Sequence, residues 1–526
     1  MKYIIVTGGV ISGLGKGITT STIGLLLKKM ELNVTALKID PYLNIDAGTM
    51  SPYEHGECYV LNDGTETDLD LGNYERFLNL NLTYKSSITS GQIYNNVLKN
   101  ERNGKYLGKT VQIIPHITNE IIERITNIDK KYDICLIELG GTVGDIESMP
   151  FIEALRQLQI KVGKQNIAFI HTTLLPTIHN NEMKTKPTQH SLQILRSLGI
   201  IPNFLCIRCS KEPSQNIINK LVLFSQIPSH KIIINRDSNH IYEVVQQFYN
   251  QNVIPTLCKE LNIYFKKYSI LDIDRYISFF AVKKNVKIIG ILGKYTGLKD
   301  SYLSLIRAIE HASYIEKKRV HLIWISENEN IDELEKKKVD AVVIPGGFGK
   351  RGIKRMINFI KKIRELDIPC LGICLGMHLM IIEYFRNVLN IDCHSEEFIT
   401  SEEQQKSKRI IKKMVPDKKF GGTLRKGLHK IKLKNNTKSY LIYGKEYIYE
   451  RHRHRYCIDN KYIEIFNKNV DNKLQITGTS SNNDICEIIE IRDKKYYIGC
   501  QYHPEFLSRR ESPHLLFRNL LKYINI

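Results

Sequence analysis

One cysteine of the chain stands between two glycines, in the run Gly372-Ile373-Cys374-Leu375-Gly376 that follows an apolar segment. Glycines at these positions permit a sharp turn from a strand into a helix, called a nucleophile elbow, that projects the thiol. The start of the helix favours the thiolate. Downstream, His503 and Glu505 stand two residues apart, so that on an extended segment both side chains lie on one face. A base and its orienting carboxylate need this arrangement. The sequence therefore predicts a Cys-His-Glu triad for nucleophilic attack on a carbonyl carbon.

A glycine-rich run, Pro345-Gly346-Gly347-Phe348-Gly349, follows the apolar residues 341–344. A loop of this kind can present a backbone N–H group, which together with the N–H of Leu375 would form an oxyanion hole. A single buried cysteine is usually structural. The elbow, the glycine loop and the histidine with its glutamate, taken in this order, favour the catalytic interpretation.

A different chemistry is indicated near residue 1, where Gly8-Gly9-Val10-Ile11-Ser12-Gly13-Leu14-Gly15-Lys16-Gly17 follows the first apolar run. Glycines let successive backbone N–H groups approach an anion, the following helix adds partial positive charge, and Lys16 can bridge terminal phosphates. The usual P-loop has Ser or Thr directly after the lysine to hold Mg²⁺, but here that residue is Gly17 and the nearest hydroxyl is Thr19. We therefore expect carboxylates to hold the metal.

Two acidic residues are the candidates for this metal. Asp70 lies in the run Thr67-Asp68-Leu69-Asp70-Leu71-Gly72, and Glu138 ends the apolar residues 134–137. Ligands of open parallel sheets bind outside the carboxyl ends of strands, and carboxylate oxygens are the ligands that Mg²⁺ prefers. A second glycine-rich loop at 140–147 and the run 184–189, which has two lysines beside hydroxyl and amide donors, together indicate a second anionic ligand.

The elements that must position these residues are short apolar runs alternating with longer amphipathic segments. Runs such as 3–6, 34–37, 134–137 and 167–170 recur as far as about residue 250, and a second series begins at 286–292 and continues through 320–325, 341–344 and 369–372. This alternation is typical of parallel sheets with crossover helices. The sequence predicts two α/β domains, at residues 1–266 and 286–526, joined by a linker at 267–285.

Charge is the unusual property of this 526-residue chain, whose 76 Lys and Arg against 55 Asp and Glu give a formal net charge of +21. Anionic partners are therefore expected. The excess is concentrated at residues 404–438, which hold 13 Lys and Arg, one acidic residue, Asp417, and one aromatic residue, Phe420. A nucleic-acid surface usually interleaves aromatic and basic residues, so we interpret this stretch as a solvated basic surface and expect no nucleic-acid partner.

The eleven cysteines are scattered without the dense spacing of a disulfide scaffold, which is typical of a reducing cytosol. No run of 18 apolar residues occurs, and glycines interrupt the apolar N-terminal stretch at residues 8 and 9. We expect a cytoplasmic protein with no membrane partner.

These runs resemble the CTP synthase family, in which an ATP-dependent amidoligase domain is fused to a class I glutamine amidotransferase domain. The resemblance covers nearly the whole chain. It extends to the runs Lys38-Ile39-Asp40-Pro41-Tyr42-Leu43-Asn44, Gly48-Thr49-Met50-Ser51-Pro52, His55-Gly56-Glu57, Tyr74-Glu75-Arg76-Phe77 and Arg451-His452-Arg453-His454-Arg455-Tyr456. It implies that residues 1–266 are a P-loop-like amidoligase domain that binds UTP and ATP, and that 286–526 are the amidotransferase domain.

The resemblance implies a reaction in which ATP phosphorylates the 4-oxygen of UTP and ammonia from glutamine, or free ammonia, displaces the phosphate to give CTP. This is the last step of de novo CTP synthesis. Cys374 would form the glutamyl thioester, with His503 as base and Glu505 as its partner, and Asp70 and Glu138 would hold Mg²⁺. The family also uses GTP as an allosteric activator and CTP as a feedback inhibitor, and it assembles as homotetramers.

The resemblance also implies binding residues. For ATP they are Gly13, Leu14, Gly15, Lys16, Gly17, Ile18, Asp70, Arg236, Asp237 and Ser238. For UTP and the product CTP they are Ser12, Asp145, Ile146, Glu147, Lys184, Thr185, Lys186, Pro187, Thr188, Gln189 and Lys220. For glutamine they are Gly347, Leu375, Gly376, Met377, His378, Glu397 and Arg453.

The chain departs from the family pattern at a few places. His378 stands where the family usually has glutamine, Gly13 where serine is common, and the segment 402–420 is short and strongly basic. The histidine could loosen glutamine binding. Because the triad and the oxyanion donors are intact, we expect glutamine hydrolysis to survive.

Three other functions compete with this one. If the chain were a different glutamine-fed ligase, the runs 184–189 and 145–147 would be unexplained, because we expect them only where a pyrimidine nucleotide binds. A nucleotide-binding regulator or filament-forming scaffold with decayed catalysis would have lost at least one of Cys374, His503, Glu505 and Lys16. Nucleic-acid binding through the +21 charge would require an affinity that falls steeply with salt.

Overall fold

The structure is a computed structural model that describes residues 1–178, 182–282, 284–326, 333–398, 407–414, 424–468, 473–482 and 484–524. The chain forms two compact units. The first consists of Met1–Asp46 and Asn73–Ala281, and the second of Ala47–Gly72 and Val282–Ile526. Most of the basic segment 402–420 lies outside the described residues.

Residues 1–281 contain short strands and helices in alternation. The strands are β1 (Lys2–Gly8), β2 (Val34–Asp40), β3 (Tyr59–Val60), β4 (Glu66–Thr67), β5 (Ser87–Thr89), β6 (Ile134–Leu139), β7 (Ile167–Leu174), β8 (Thr177–Ile178), β9 (Glu182–Met183), β10 (Phe204–Cys209) and β11 (Ile232–Arg236). The helices are α1 (Lys16–Lys29), α2 (Pro52–His55), α3 (Leu69–Leu78), α4 (Ser90–Arg102), α5 (Thr118–Thr126), α6 (Met149–Val162), α7 (Lys186–Ser197), α8 (Gln215–Ser225), α9 (Glu243–Asn250), α10 (Val253–Glu260) and α11 (Leu271–Ala281).

The remaining residues form a second series of elements. Its strands are β12 (Lys287–Leu292), β13 (Val320–Ile325), β14 (Ala341–Ile344), β15 (Cys370–Ile373), β16 (Cys393–Ser395), β17 (Lys408–Lys413), β18 (Arg425–Leu433), β19 (Tyr447–His454), β20 (Tyr456–Ile458), β21 (Leu474–Ser480), β22 (Cys486–Ile491) and β23 (Tyr497–Cys500). Its helices are α12 (Leu303–Ile315), α13 (Glu333–Lys336), α14 (Ile353–Glu365), α15 (Leu375–Asn387), α16 (Lys438–Tyr443), α17 (Asn460–Lys468) and α18 (Leu515–Lys522). Among the helices that the structure describes, none has the length and apolar character needed to span a bilayer.

The first unit is built on a parallel sheet, whose described strands follow the order β11-β10-β7-β1-β6-β2-β5. β1 is central, because it pairs with β6 on one side and with β7 on the other. Helices α5 and α6 pack against this sheet, where Ile125 and Leu155 join Ile5 and Ile137 in one apolar core. The strand order reverses beside β1, and ligands of such sheets bind at the carboxyl ends of strands at that position. The glycine-rich loop after β1 lies there.

The second unit contains a mixed sheet with the order β13-β12-β14-β15-β23-β22-β21-β18-β19 among its described strands. The pairs from β13 to β23 are parallel and the pairs from β23 to β19 are antiparallel. Helices α14 and α15 supply Ile360 and Met380 to one core, and α12 and α18 supply Ile309 and Phe517 to another. Both units thus have the α/β architecture that the sequence predicts.

The segment Ala47–Gly72 belongs to the second unit although it precedes α3 in the chain. Its Tyr59 hydroxyl donates to the carbonyl of Phe506 at 2.8 Å, and Arg451 Nε donates to Asn62 Oδ1 at 2.6 Å. The backbone N–H of Ser304 donates to the Glu57 carboxylate at 2.9 Å. This segment is therefore bound to the unit that contains Cys374 by several long-range hydrogen bonds.

The segment 267–285, where the sequence predicts a linker, includes the helix α11. Ile273 and Tyr276 of this helix are buried in the first unit. The ring of Tyr276 contacts the rings of Tyr242 and His240, with centroids at 5.1 Å and 5.4 Å. The mixed composition of this segment is thus that of an amphipathic helix.

Candidate functional site

Cys374 occupies a strained turn between β15 and α15. Its backbone has φ +52° and ψ −101°, a combination that L residues rarely adopt. A Cβ at Gly372 would lie 2.2 Å from Met380 Sδ, and one at Gly376 would lie 2.2 Å from the carbonyl oxygen of Ile344. Only glycine fits at these two positions, which explains the predicted spacing of the elbow.

His503 and Glu505 lie beside this cysteine. His503 Nδ1 is 2.7 Å from Glu505 Oε1, and both residues line one cavity with Cys374. Burial opposes protonation of His503, but the charge of Glu505, its hydrogen bond to the imidazole and the adjacent Cys374 outweigh it and raise the pKa of His503 to about 10. The ring of Phe506 stacks on the imidazole at 5.1 Å. The structure therefore brings the three residues together, with the imidazole protonated at neutral pH and its ring plane fixed.

The glycine-rich loop after β14 passes directly against this group. A Cβ at Gly346 would lie 2.7 Å from His503 Cε1. The N–H of Phe348 donates to the Tyr295 hydroxyl at 3.3 Å, and the N–H of Gly349 donates to Glu397 Oε1 at 2.7 Å. These bonds hold the loop next to the thiol, where the sequence predicts an oxyanion hole.

Arg453, a predicted glutamine ligand, is held by the segment Ala47–Gly72. Its Nε donates to Glu66 Oε1 at 2.9 Å, its Nη2 donates to the carbonyl of Gly48 at 3.1 Å, and its guanidinium lies 5.3 Å from the Phe348 ring centroid. Burial opposes ionisation of Glu66, but Arg453 together with Lys426 holds the pKa of this carboxyl below its usual value. Arg453 is thus oriented by a buried ion pair.

Glu397 is the acidic counterpart among the predicted glutamine ligands. Burial raises the pKa of its carboxyl, an effect that the N–H of Gly349 and the charge of Lys294 oppose. The ammonium of Lys294 also donates to the carbonyls of Phe348, at 3.3 Å, and Gly349. Sequence analysis did not single out Lys294, since one lysine after a strand has no distinguishing signal.

The predicted glutamine ligands that follow the elbow lie on the first turn of α15. Leu375 and Gly376 begin the helix, and the Met377 side chain is buried beside Gly499. His378 Nε2 lies 2.7 Å from Gln501 Oε1, and burial lowers the pKa of His378 to about 4. The side chains of Met377 and His378 are therefore buried in the interior of the second unit.

A cavity of about 70 Å³ opens beside the thiol. Its lining includes the predicted Cys374, His503, Gly347 and Arg453. It also includes Glu57, Cys58 and Tyr295, to which the sequence assigned no role in this site. The run that contains Glu57 was noted only as part of the family resemblance, and nothing in its local pattern indicates a position near Cys374.

In the first unit, the two predicted glycine-rich loops meet. Gly13 and Gly15 have φ of +72° and +86°, so the loop uses left-handed backbone before α1 begins at Lys16. Lys16 Nζ donates to the carbonyl of Gly141 at 2.5 Å, and the N–H of Val143 donates to the carbonyl of Gly8 at 2.8 Å. Lys16 therefore lies at the junction of both loops.

Arg208 links two predicted ATP-binding segments. Its Nη1 donates to the carbonyl of Gly13 at 2.5 Å, and its Nε donates to Asp237 Oδ1 at 3.0 Å. The Ser238 hydroxyl donates to the carbonyl of Arg236 at 3.1 Å, which fixes the turn that carries Asp237. Arg208 was missed in the sequence because it belongs to no motif, and only the pairing of β10 with β11 brings it next to Asp237.

The two predicted metal ligands differ in their surroundings. Glu138 ends β6, is buried, and accepts hydrogen bonds from Lys38 Nζ at 2.9 Å and from the Tyr74 hydroxyl. Asp70 is half-buried in the first turn of α3 and belongs to the second unit. Both donors are carboxylates, which suit Mg²⁺. Within the part of the chain that the structure describes, no three His, Cys, Asp or Glu residues are grouped as metal ligands.

A cavity of about 790 Å³ in the first unit gathers five of the eleven predicted pyrimidine-nucleotide ligands. Those that line it are Lys184, Thr185, Lys186, Gln189 and Lys220, joined by Lys211 and Phe224. Thr188 is instead buried, and its hydroxyl donates to the carbonyl of Leu174 at 3.1 Å. The lining includes neither Pro187 nor the run 145–147, in which Asp145 Oδ2 accepts from the N–H of Thr142 at 3.2 Å. Four lysines against Glu182 and Glu212 leave the lining with an excess of positive charge, which suits an anionic ligand.

Comparison with known proteins matches both halves of the chain. A family model described as CTP synthase N-terminus matches residues 2–263, and one described as glutamine amidotransferase class-I matches residues 297–523. A CTP synthase of Methanocaldococcus jannaschii is 46% identical, covering 99% of this chain and 98% of the relative. A CTP synthase of Staphylococcus aureus is 45% identical over the same shares. Among solved structures, the glutaminase domain of Trypanosoma brucei CTPS with bound acivicin is 26% identical, with a TM-score of 0.41, and covers 45% of this chain and 93% of that one.

Proposed function

The chain belongs to the CTP synthase family, and from this premise we propose how its residues divide the reaction. The enzyme is a ligase that aminates UTP to CTP with ATP and takes the nitrogen from glutamine. In our proposal Cys374, His503 and Glu505 release ammonia, while the loop around Lys16 activates UTP. The observation that supports it most strongly is the positive-φ turn at Cys374, whose thiol lines one cavity together with His503 and Glu505.

Glutamine hydrolysis proceeds through a thioester. The Cys374 thiolate attacks the side-chain carbonyl of glutamine, and the N–H groups of Gly347 and Leu375 bind the resulting oxyanion. The C–N bond then breaks, and His503 gives its proton to the leaving ammonia. His503 next removes a proton from water, which attacks the thioester and releases glutamate and the thiolate. Glu505 keeps the imidazole oriented in both steps, since it is hydrogen-bonded to the other ring nitrogen.

Charge complementarity supports the assignment of the glutamine pocket. Free glutamine carries one ammonium and one carboxylate; the guanidinium of Arg453 lines the cavity, and the carboxyl of Glu397, outside its lining, contacts the glycine-rich loop that borders it. Both groups adjoin the loop that carries Gly347, because Glu397 accepts from Gly349 and Arg453 lies over Phe348. A substrate held at both ends would present its amide carbon to Cys374 in one orientation.

UTP activation is a phosphoryl transfer from ATP to the 4-oxygen of the pyrimidine. Backbone N–H groups of the loop at 13–18 and the Lys16 ammonium would hold the phosphates of ATP, and the turn at 236–238 would lie at its base. The lysines of the 790 Å³ cavity, Lys184, Lys186 and Lys220, would bind UTP. Ammonia then attacks C4, phosphate leaves, and CTP forms.

Asp70 and Glu138 are the carboxylates that would hold Mg²⁺ in this proposal, and the ion when bound would neutralise charge on the phosphates. Glu138 is buried at the carboxyl end of β6, next in the sheet to the strand that carries the phosphate loop. Lys38 and Tyr74 orient its carboxylate. The residue after Lys16 is a glycine, so the metal has no hydroxyl ligand at that position.

Further properties of the family are extended to this chain as proposals. GTP would activate glutamine hydrolysis, CTP would inhibit by binding at Asp145, Ile146 and Glu147, and the chain would act as a cytoplasmic homotetramer. None of the eleven cysteines, all of which lie in described residues, forms a disulfide, as suits a reducing compartment.

The test is CTP formation, followed by absorbance, with UTP, ATP and Mg²⁺ and either glutamine or an ammonium salt. The parent should use both nitrogen sources, and Cys374→Ala should use only ammonium. Cys370→Ala, which removes a buried thiol of β15 from the strand before the elbow, is the matched control and should still use glutamine. CTP from neither source would refute the function, and glutamine-driven CTP in Cys374→Ala would refute the nucleophile.

A further inference from the structure

An amide side chain lies directly against the nucleophile. Strands β15 and β23 pair in parallel with Ile373 opposite Cys500, which places the next residues, Cys374 and Gln501, side by side. The N–H of Cys374 donates to the carbonyl of Cys500 at 2.7 Å and fixes this register. Gln501 is fully buried, and its Nε2 lies 3.8 Å from Cys374 Sγ. The mechanism above gives this amide no role.

The other end of that amide is held by His378. Residues 374 and 378 are one helical turn apart, with the N–H of His378 bonded to the carbonyl of Cys374 at 3.2 Å, so both side chains lie on one face of α15. His378 Nε2 is 2.7 Å from Gln501 Oε1. A carbonyl oxygen can only accept, so the Nε2 atom carries the proton of this buried imidazole. The imidazole is neutral at pH 7 because burial lowers its pKa to about 4.

We propose that His378 is a positioning residue for the nucleophile, which donates to Gln501 Oε1 and thereby keeps the NH₂ group of Gln501 directed at Cys374 Sγ. The proposal rests on the proposed role of Cys374. An amide has a donor end and an acceptor end of nearly equal shape, so without His378 either end could face the sulfur. The donor end stabilises a thiolate before attack and when it leaves the thioester, whereas the oxygen would repel it.

This role differs from the one that the sequence predicts for residue 378. A residue that binds glutamine directly would present its side chain to the cavity beside the thiol, but His378 is not among the residues lining that cavity. A glutamine at 378 can also donate an N–H to Gln501 Oε1. The histidine of this chain and the glutamine usual in the family are therefore equivalent donors in our proposal, whereas an apolar residue is not.

The test is a double-mutant cycle on glutamine-dependent CTP formation, with kcat and KM determined separately. The variants are His378→Leu, His378→Gln, Gln501→Leu and the double variant His378→Leu/Gln501→Leu. We expect His378→Leu and Gln501→Leu each to lower kcat about tenfold with little change in KM, as for loss of a hydrogen bond to a charged group. His378→Gln should restore kcat to within about threefold of the parent, and the double variant should equal Gln501→Leu, because His378 acts only through Gln501.

Thiol reactivity gives a second readout that simple packing would not move. Iodoacetamide labelling of Cys374 should slow about tenfold in His378→Leu, and His378→Gln should restore it. The Cys374→Ala variant gives the background from the other cysteines. Melting temperature and the rate with ammonium are measured for every variant.

Three results would overturn the proposal. A raised KM with unchanged kcat in His378→Leu would mean that His378 contacts glutamine itself. Full additivity in the double variant would mean that the two residues act independently. A joint loss of melting temperature and ammonium-driven rate that His378→Gln fails to restore would assign His378 to packing alone. Failure of the proposed function is distinguishable, since it would appear as glutamine-driven CTP in Cys374→Ala.

Discussion

The thiol site of the second unit (Cys374, His503 and Glu505) and the phosphate loop of the first unit (residues 8–17) differ in how far the surrounding fold encloses them. Cys374, His503 and Glu505 are only 4%, 8% and 7% exposed. Lys16 of the phosphate loop is equally buried, at 8%, but the loop before it and the second glycine-rich loop are open, with Ile11 50% and Ile146 86% exposed. Covalent catalysis needs reacting atoms held within tenths of an ångström, whereas a highly charged nucleotide supplies strong contacts of its own. The thiol site is accordingly fixed by the fold.

Backbone strain, unlike exposure, occurs at both sites. The phosphate loop reaches positive φ at Gly13 and Gly15, where this conformation has little cost, but also at Val10 (φ +82°), a β-branched residue at which it is strained. The thiol site holds a cysteine at φ +52°, which costs about 1–3 kcal/mol and persists because the surrounding contacts enforce it. Each site thus holds one strained non-glycine residue, and the contrast between them lies in exposure, which four predictions extend or challenge.

The largest effect is expected at Lys16. Lys16→Met removes the cation at the junction of the two glycine-rich loops, so CTP formation should fall about 10²–10³-fold with glutamine and with ammonium alike. The measurement is the rate of CTP formation with each nitrogen source. Lys99→Met, which changes an exposed lysine of α4, is the matched control and should behave as the parent. A selective loss of the glutamine-driven rate would refute the role of Lys16.

The next effect concerns how stability depends on pH, which is expected to differ in sign between His378 and His503. The folded-state pKa of His378, about 4, lies below the unfolded value of about 6.5. The stability that accompanies neutral His378 is therefore present above pH 6.5 and lost as the pH falls towards 4, a change of about 3 kcal/mol. The pH dependence of stability has the opposite sign for His503, because its folded-state pKa of about 10 lies above the unfolded value. The stability that it contributes is present below pH 6.5 and is lost as the pH rises through 10.

His378→Gln tests this sign. Urea unfolding between pH 4 and 7 should show that the parent loses about 3 kcal/mol more than the variant on acidification. Parallel pH curves for the two proteins would show that His378 is not held neutral by burial.

A smaller effect is expected at Glu66, which orients Arg453. Glu66→Gln removes the charge of the buried partner, so KM for glutamine should rise about tenfold, while the rate with ammonium should be retained. Steady-state kinetics with each nitrogen source checks this. Glu446→Gln is the control, since Glu446 is an exposed glutamate of the same unit that lies 3.8 Å from Lys432. An unchanged KM would show that Arg453 needs no orienting carboxylate.

The smallest effect is expected at Arg208, which bridges Gly13 and Asp237 on a partly exposed surface. Arg208→Gln should raise KM for ATP about threefold, because exposed ion pairs contribute little. Arg102→Gln, at an exposed ion pair of α4, is the control. A change of a hundredfold would mean that Arg208 contacts ATP and does more than hold the loop.

Local sequence pattern was sufficient for much of the fold. The apolar runs 320–325 and 341–344 coincide with β13 and β14, since short continuous apolar runs bounded by turn signals are typical of strands in parallel sheets. The elbow and the phosphate loop could be predicted because both turns require closely spaced glycines for steric reasons, and such a spacing is visible in the sequence. The helix α11 was not predicted, since its apolar residues alternate with polar and aromatic ones over only 11 residues.

Contacts between distant parts of the chain could not be predicted. Glu66 and Arg453 are 387 residues apart, and the local sequence around either residue does not indicate the other as its partner. Gln501 precedes His503 by two positions, yet its contact with Cys374 depends on the register of β15 and β23. The position of the segment Ala47–Gly72 in the second unit follows from many such pairs, which only the folded chain specifies.

The central claim, that geometry makes Cys374 the reactive thiol, is tested most directly by labelling with an electrophilic chloroketone analogue of glutamine. Digestion and mass spectrometry then identify the modified residue. Exposure alone favours Cys58, because the other ten cysteines are buried. The structure predicts a single label on Cys374, prevented by excess glutamine. Labelling of Cys58 instead, or labelling of Cys374 that glutamine does not prevent, would contradict the account.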